Sequence, residues 1–462
     1  MDPELTRLSA CELVSLIRSK KTSALEVLDA HLGTIERLNP KLNAIVTLAA
    51  EQARSAARHA KLDTPLAGLP IVVKDVTETA GIRTTYGSPL YKDNVPKEDA
   101  EIVRRLKAEG AIVLGKTNTP EFATGAHTVN ELFGVTRNPW NPALSPAGSS
   151  GGSAVAVATG MVPLAHGTDF GGSVRVPAAF CGLVGIRPTP GLTPNHPMAL
   201  AWDPGQVHGP LARTAEDAAL LLDAMVGFSR ISPISVAPPW KSALAAVEAT
   251  NDAKGLRAAY APDIAGIGVD GEIAAECRRA ALGLRAAGAS VDEIEFNVYD
   301  GREPFMAWRG AWMVGQRYPE LARLEEFGAN LQGNVKAGLK VTALDLAAAE
   351  QKRAAVFARF VALFEKYDVL LTPTAAVLPF PVEKNFPDEI NGRRLENYID
   401  WLAQSFLVTL VSLPAASVPA GKTRAGLPVG LQIVAPRFEE PRILGVAKLV
   451  QRANPIGRPP QA

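Results

Sequence analysis

Two glycine-flanked serines, at positions 149 and 173, constrain this chain more than any other feature. They lie within 145–177, SPAGSSGGSAVAVATGMVPLAHGTDFGGSVRVP, in the contexts AGSSGG and DFGGSVR. Between them run the small residues Gly151 to Gly160 and then an apolar segment, Val162 to His166. The pattern predicts serine, helix, strand, serine, with the strand carrying Ser173 back toward Ser149. Ser149 and Ser150 stand at the predicted helix start, where serine caps free N–H groups. Glycines on both sides admit a close ligand and backbone conformations closed to other residues.

A serine hydroxyl needs a base before it can attack. Lys74 ends the apolar run Leu69-Pro70-Ile71-Val72-Val73, which reads as a buried strand. Burial disfavours the ammonium form and lowers a lysine pKa, by up to about 3–5 units when complete. A neutral amine there could take a proton at pH 7. The plainer reading is a strand-end lysine whose ammonium reaches solvent.

Around these residues apolar strands alternate with helical stretches. Leu69 to Val73 and Ala111 to Leu114 read as strands, and Glu101 to Glu109 as a helix. Such alternation implies an α/β fold, a largely parallel sheet covered by helices. Residues 5–61 read as helical, with a break at Asn39-Pro40. Leu256 to Tyr260, Asp270 to Ala287 and Ala289 to Phe296 read as a second strand–helix–strand unit. Thr342 to Tyr367 reads as a helix, Val369 to Leu371 as a strand, and the proline-rich tail after Asn454 as loose. No internal repeat or domain boundary stands out.

Two motif matches fail on context. Gly110 to Thr117, GAIVLGKT, fits the phosphate-loop pattern, but its intervening residues are themselves strand-like, where a phosphate loop needs an open turn of N–H donors. Gly148 to Gly152 fits GxSxG, but NPALSPA precedes it where a strand is required. His166, His196 and His208 stand in no telling context for a Ser-His-Asp triad. The six histidines show no metal-ligand spacing, and no cofactor motif is present. Cys11, Cys181 and Cys277 are unpatterned, which fits a reducing compartment such as the cytoplasm. A formal charge of +1 leaves no basic footprint for nucleic acid. The first residues are charged and amphipathic rather than a leader, and no long apolar run predicts a membrane span.

The runs AGSSGGSA, GTDFGGSVRVPAAFCG and GLPIVVKD together resemble the amidase signature family. So do NTPEFATG (118–125), Asn138-Pro139-Trp140, GPLARTAEDA (209–218), DVLLTPT (368–374) and GLPVGLQIVAP (426–436). The resemblance spans nearly the whole chain. It implies a single large α/β domain, 1–462, whose mixed, mostly parallel sheet has helices on both faces. Within it 5–61 would be a helical arm, 69–190 the catalytic core and 227–345 a variable substrate entrance. The resemblance implies that Ser173 attacks a carbonyl, that Ser149, held by a cis peptide, relays the proton, and that Lys74 is the base. The N–H groups of Phe170, Gly171 and Gly172 would form the oxyanion hole. Phe170 departs from the family, which carries a small or aliphatic residue there, so its ring would narrow or line the acyl pocket. Asp169 and Arg175 would pair in support, with Ser150 and Ser153 hydrogen-bonding nearby.

The implied substrates are small linear carboxamides and aryl amides, with water, and sometimes esters or carbamates. The 118–125 segment is placed beside the acyl-binding cleft. Phe305, Met306, Trp308, Trp312 and Met313 share a predicted helix, either as core or as an apolar wall over the entrance that Trp202 could join. With Ala123 and Ala126 apolar and no evident cation cluster, a neutral, partly hydrophobic amide is expected. No cofactor, nucleic acid or membrane partner is expected, and a homodimer is left open. One alternative is the amidase component of a tRNA-dependent amidotransferase, whose loop continues GGSIRQPA where this chain has Val176. Another is a scaffold that kept the fold without the chemistry.

Overall fold

Leu69–Val73 is apolar without alternation, the pattern of a strand covered on both faces. In a computed structural model, which describes residues 4–395 and 397–460, this run is wholly buried. Eleven strands form one sheet. In chain order they are β1 (Ile45–Leu48), β2 (Pro70–Lys74), β3 (Ile112–Thr117), β4 (Leu164–Asp169), β5 (Val184–Arg187) and β6 (Val207–Ala212). They continue with β7 (Arg257–Tyr260), β8 (Ser290–Glu293), β9 (Val369–Pro373), β10 (Ala415–Lys422) and β11 (Pro428–Val434). Their spatial order is β1-β3-β2-β4-β6-β5-β10-β11-β9-β7-β8.

Alternate strand residues feed opposite cores, as the two-residue period of a strand requires. Ile71, Val73 and Leu164 pack with the helices Ala10–Arg18, Ala215–Met225 and Glu440–Ala453. Val72 and Ala165 point the other way, toward Ala24–Leu42 and Gly151–Ala158. Farther along the sheet, Leu370 packs with Phe305, Phe360 and Phe406. The molecule is therefore one α/β unit with helices on both faces, as the resemblance implied.

The sheet is mixed. Parallel pairing joins the strand–helix–strand units, β3-β2-β4 and β9-β7-β8. Antiparallel pairing fills the middle and adds β1 at the edge. The reason is local: β10 and β11 are joined by a short turn with no helix between them, and strand–helix alternation does not announce such a hairpin. At one sheet edge β2, β3 and β4 end together and the antiparallel β6 begins. The carboxyl ends of neighbouring parallel strands are where α/β sheets place ligands.

Four details differ from expectation. Residues 5–61 are not helical throughout, because Ile45–Leu48 adds an antiparallel edge strand. Pro40 does not break its helix, which runs Ala24–Leu42. Proline removes one backbone donor, and the turn closes through Asn43 N–H to Asn39 O (2.7 Å). The Asn39 side chain also accepts from Ala44 and Ile45 N–H, at 2.9 Å each. The tail after Asn454 is docked: Ile456 is buried against Gly182, and Arg458 donates to the Arg7 carbonyl. Finally, 227–345 is not one entrance region. Residues 257–293 build the far sheet edge, and only the part from Arg302 onward approaches the strand ends described next. Among the described residues no helix is long and apolar enough to cross a membrane.

Candidate active site

Lys74 lies at the end of β2 and is fully buried. Its Nζ donates to Ser149 Oγ at 2.6 Å and to Thr168 Oγ1 at 2.8 Å. Burial pushes its pKa down to about 7, against the opposing charge of Asp169. The solvent-reaching reading of this lysine is thereby excluded.

Ser149 precedes the helix Gly151–Ala158, and the Gly148–Ser149 peptide is cis. That places the isomer on the amino side of Ser149. Ser150 occupies the N-cap position without capping. Its hydroxyl instead donates to Thr168 O and accepts from Thr168 N–H, both at 3.3 Å. The helix start thus docks on β4. Ser153 fixes the next turn, with its Oγ 2.7 Å from Thr117 Oγ1 and donating to His166 O at 2.9 Å. Gly152 permits this approach, since a Cβ there would lie 2.5 Å from Asn118 N.

Ser173 stands in the turn after β4, and its carbonyl accepts the Ser150 N–H at 3.1 Å. The two serine loops are therefore joined through their backbones. The Ser173 hydroxyl borders the same narrow cleft as Ser149 and forms no hydrogen bond among the described residues. The lysine–serine half is bonded; the serine–serine half is adjacent and unbonded.

Asp169 holds the Ser173 turn in shape. Its carboxylate accepts N–H groups from Gly172 (3.0 Å), Val174 (3.1 Å) and Arg175 (3.4 Å). The Arg175 guanidinium clamps it at 2.9 and 3.1 Å, and both side chains are fully buried. Burial alone would raise the Asp169 pKa, but Arg175, Arg187 and the backbone donors bring it far below the usual range. The expected ion pair is present, and Arg187 is an unforeseen second partner at 3.8 Å. Arg175 also donates to Ser405 O (2.8 Å), Gln432 Oε1 (2.7 Å) and Thr409 Oγ1 (2.9 Å).

This arrangement changes the expected oxyanion hole. The Gly172 N–H is committed to Asp169, so it is not a free donor, and Phe170 and Gly171 remain as candidates. Gly172 has φ +109°, and a Cβ there would lie 2.6 Å from Ser405 Cβ.

The cleft volume is about 40 Å³, and Ala123, Gly125, Phe170 and Gln206 help line it. The 118–125 segment thus reaches the cleft, as expected. Phe170 also lines it as its ring suggested, 4.5 Å from the Trp312 ring and 5.0 Å from that of Trp308. The helix Arg302–Arg317 serves as both core and wall: Phe305 is buried, while Trp312 and Met313 border the cleft. Trp202 does not join this wall, being 76% exposed.

Sequence reasoning gave no site role to four neighbouring residues. Thr168 was missed because the parallel pairing Val73↔His166 sets Lys74 level with Gly167, one residue short of the threonine that the amine reaches. His166 and His208 form a buried pair, Nε2 to Nδ1 at 2.8 Å. Burial keeps both neutral, pushing His208 down to about 3 and His166 well below its usual range. Arg309 borders the cleft and removes the ground for expecting no cation there.

Known proteins resemble this chain along nearly its whole length. The family described as Amidase matches residues 26–444. This chain belongs to the amidase family. It is 35% identical to an acylamidase of Rhodococcus erythropolis, over 97% of this chain and 96% of that one. It is 36% identical to a glutamyl-tRNA(Gln) amidotransferase subunit of Methylococcus capsulatus, over 97% of each. A bacterial aryl acylamidase of the amidase signature enzymes superposes with a TM-score of 0.88 at 29% identity, over 96% of each chain. A 6-aminohexanoate cyclic dimer hydrolase gives 0.90 at 29% identity, over 100% of this chain and 99% of that one. The amidase fold of the chain is thus shown twice, and amide hydrolysis is its general activity.

Proposed function

We propose that the chain hydrolyses a carboxamide C–N bond through an acyl-enzyme on Ser173, with Ser149 as proton relay and Lys74 as base. The observation that carries this reading is the 2.6 Å contact between the buried Lys74 Nζ and Ser149 Oγ. With a pKa near 7 the amine is about half neutral at pH 7. Ser173 Oγ attacks the carbonyl carbon, its proton passes to Ser149 Oγ, and the Ser149 proton passes to Lys74 Nζ. The carbonyl oxygen becomes an oxyanion facing the Phe170 and Gly171 N–H groups. One such donor contributes about 2.7–4 kcal/mol in comparable sites. Collapse expels the amine, which takes the proton back along the same path. Water then adds to the acyl carbon, leaving a carboxylate and free Ser173. The open Ser149–Ser173 gap fits this scheme, since catalytic contacts often tighten only around substrate.

Phe170, Trp312 and Met313 supply apolar walls, and the likeness to acylamidases supports an acyl amide. Esters and carbamates present the same carbonyl and are weaker candidates. Ser173→Ala should abolish turnover with the fold intact, and Lys74→Ala should lower it by orders of magnitude. Substantial turnover by the serine variant contradicts the assignment.

A second reading is a component of a tRNA-dependent amidotransferase. The similarity to the Methylococcus capsulatus protein favours it, and Val176 at that loop's glutamine position opposes it. Ammonia release from a primary amide by the purified chain alone supports the first reading. A requirement for a tRNA-binding partner supports the second. An inert scaffold is distinguished by failure of a serine-directed fluorophosphonate to label Ser173 in folded protein.

A further inference from the structure

Three arginines are buried among the described residues: Arg175, Arg187 and Arg309. The first two face the Asp169 carboxylate. Arg309, 7% exposed, has no carboxylate within 4.0 Å among the described residues. Its Nη1 donates to Asn334 Oδ1 at 2.7 Å and its Nη2 to Tyr398 Oη, both uncharged acceptors. A guanidinium has five N–H donors and stays charged. Three of those donors have no acceptor among the described residues. A buried cation without a counter-charge is costly, yet this one borders the cleft that holds Ser149, Gly171 and Ser173.

The cleft limits what can meet this charge. One water occupies roughly 10–15 Å³ of such space, so about 40 Å³ admits an acyl group of only a few non-hydrogen atoms. Wider space lies to either side. A cavity of about 640 Å³ shares Ala123, Gln206, Trp312 and Met313 with the cleft. Another of about 380 Å³ shares Gly125 and Tyr398. An acyl group tethered to Ser173 has to stay in the narrow part while the amine departs through a wider one. Ile399, Leu402 and Trp312 flank the narrow part and suit a short methylene chain.

We propose that the acyl portion of the substrate ends in a carboxylate received by Arg309 and Tyr398, so that short monoamides of dicarboxylic acids are hydrolysed. This rests on the hydrolytic reading above and replaces the expectation of a neutral substrate. In the balanced reaction a monoamide carboxylate and water give a dicarboxylate and an ammonium ion. A guanidinium suits this role because it meets a carboxylate with two parallel hydrogen bonds.

The test compares malonamate, succinamate and glutaramate with the neutral diamides of the same lengths. For the best-fitting length, kcat/KM for the acid should exceed that of the diamide by about 100-fold or more, as polar sites discriminate. Arg309→Gln should reduce this ratio to below about 10, mainly through KM, and Arg309→Lys should restore part of it. Independently of turnover, the Ser173→Ala protein should bind the matching dicarboxylate in calorimetry, and Ser173→Ala/Arg309→Gln should not. Diamides cleaved as well as acids at all three lengths would overturn the proposal. So would an Arg309→Gln loss equal for both classes, or absence of dicarboxylate binding to Ser173→Ala. Arg309-dependent binding by a parent that hydrolyses neither class supports the carboxylate site and sinks the hydrolytic reading instead.

Discussion

Lys74→Met makes the buried amine measurable as a stability effect separate from catalysis. In the fold the Lys74 pKa is about 7, against an ordinary 10.5, because the amine is wholly buried. Below pH 7 the amine is protonated in both folded and unfolded chains, and the parent carries the full penalty of a buried ammonium. Between 7 and 10.5 the unfolded chain holds a proton that the folded chain lacks, so the parent gains stability as pH rises. Each pH unit contributes about 1.36 kcal/mol, so two units inside the window contribute about 2.7 kcal/mol. Met has no titrating group and removes this dependence. It also leaves Ser149 Oγ and Thr168 Oγ1 without their donor, a cost of about 1 kcal/mol per bond that does not vary with pH. Denaturant unfolding of parent and variant at pH 7.5 and 9.5 yields the difference directly. The parent-minus-variant stability should rise by about 2–3 kcal/mol across that interval. A difference that stays flat shows that the folded Lys74 keeps its proton, which refutes the neutral base.

Three further outcomes follow from the same geometry. The kcat/KM of the parent should rise about tenfold per pH unit below 7 and level off above it, because the neutral amine is the active form; a rise continuing to pH 10 contradicts the shifted pKa. Arg175→Met leaves Asp169 buried without its clamp and should cost about 3–5 kcal/mol in denaturant unfolding; a change under about 1 kcal/mol contradicts the assigned role. Gly172→Ala should lower kcat by about 100-fold, because the new Cβ meets Ser405 and φ +109° disfavours a side chain. Gly172→Ala/Ser405→Gly should recover only part of that loss; full recovery shows that backbone strain plays no role.

Much of the site was legible because its chemistry is concentrated in short segments. Lys74 was marked by its place at the end of an apolar strand. Ser149 and Ser173 were marked by their neighbouring glycines, and the Asp169–Arg175 pair by a spacing that one turn can close. Less legible were the contacts made by tertiary packing. Arg187 reaches Asp169 across the sheet, and Ser405, Thr409 and Gln432 satisfy Arg175 from 230 residues away or more. The Gly172 N–H reads as a free donor until Asp169 is seen to accept it. Arg309 is one of four charged residues in an aromatic-rich helix, and only the fold sets it at the cleft of the nucleophile. Outside the site, the hairpin of β10 and β11 and the docked tail were hidden for the same reason. Local pattern reports a strand or a loop, and partner choice depends on surfaces distant in sequence.

If Lys74, Ser149 and Ser173 act as one hydrolytic unit, acylation of Ser173 depends on the lysine. Incubation with a slowly released acyl donor, acid quench and peptide mass mapping tests it most directly. A single acyl adduct on Ser173 should form in the parent and fail to accumulate at pH 7 in Lys74→Ala. An adduct on another residue, or one that forms on Ser173 equally fast without the lysine, would contradict it.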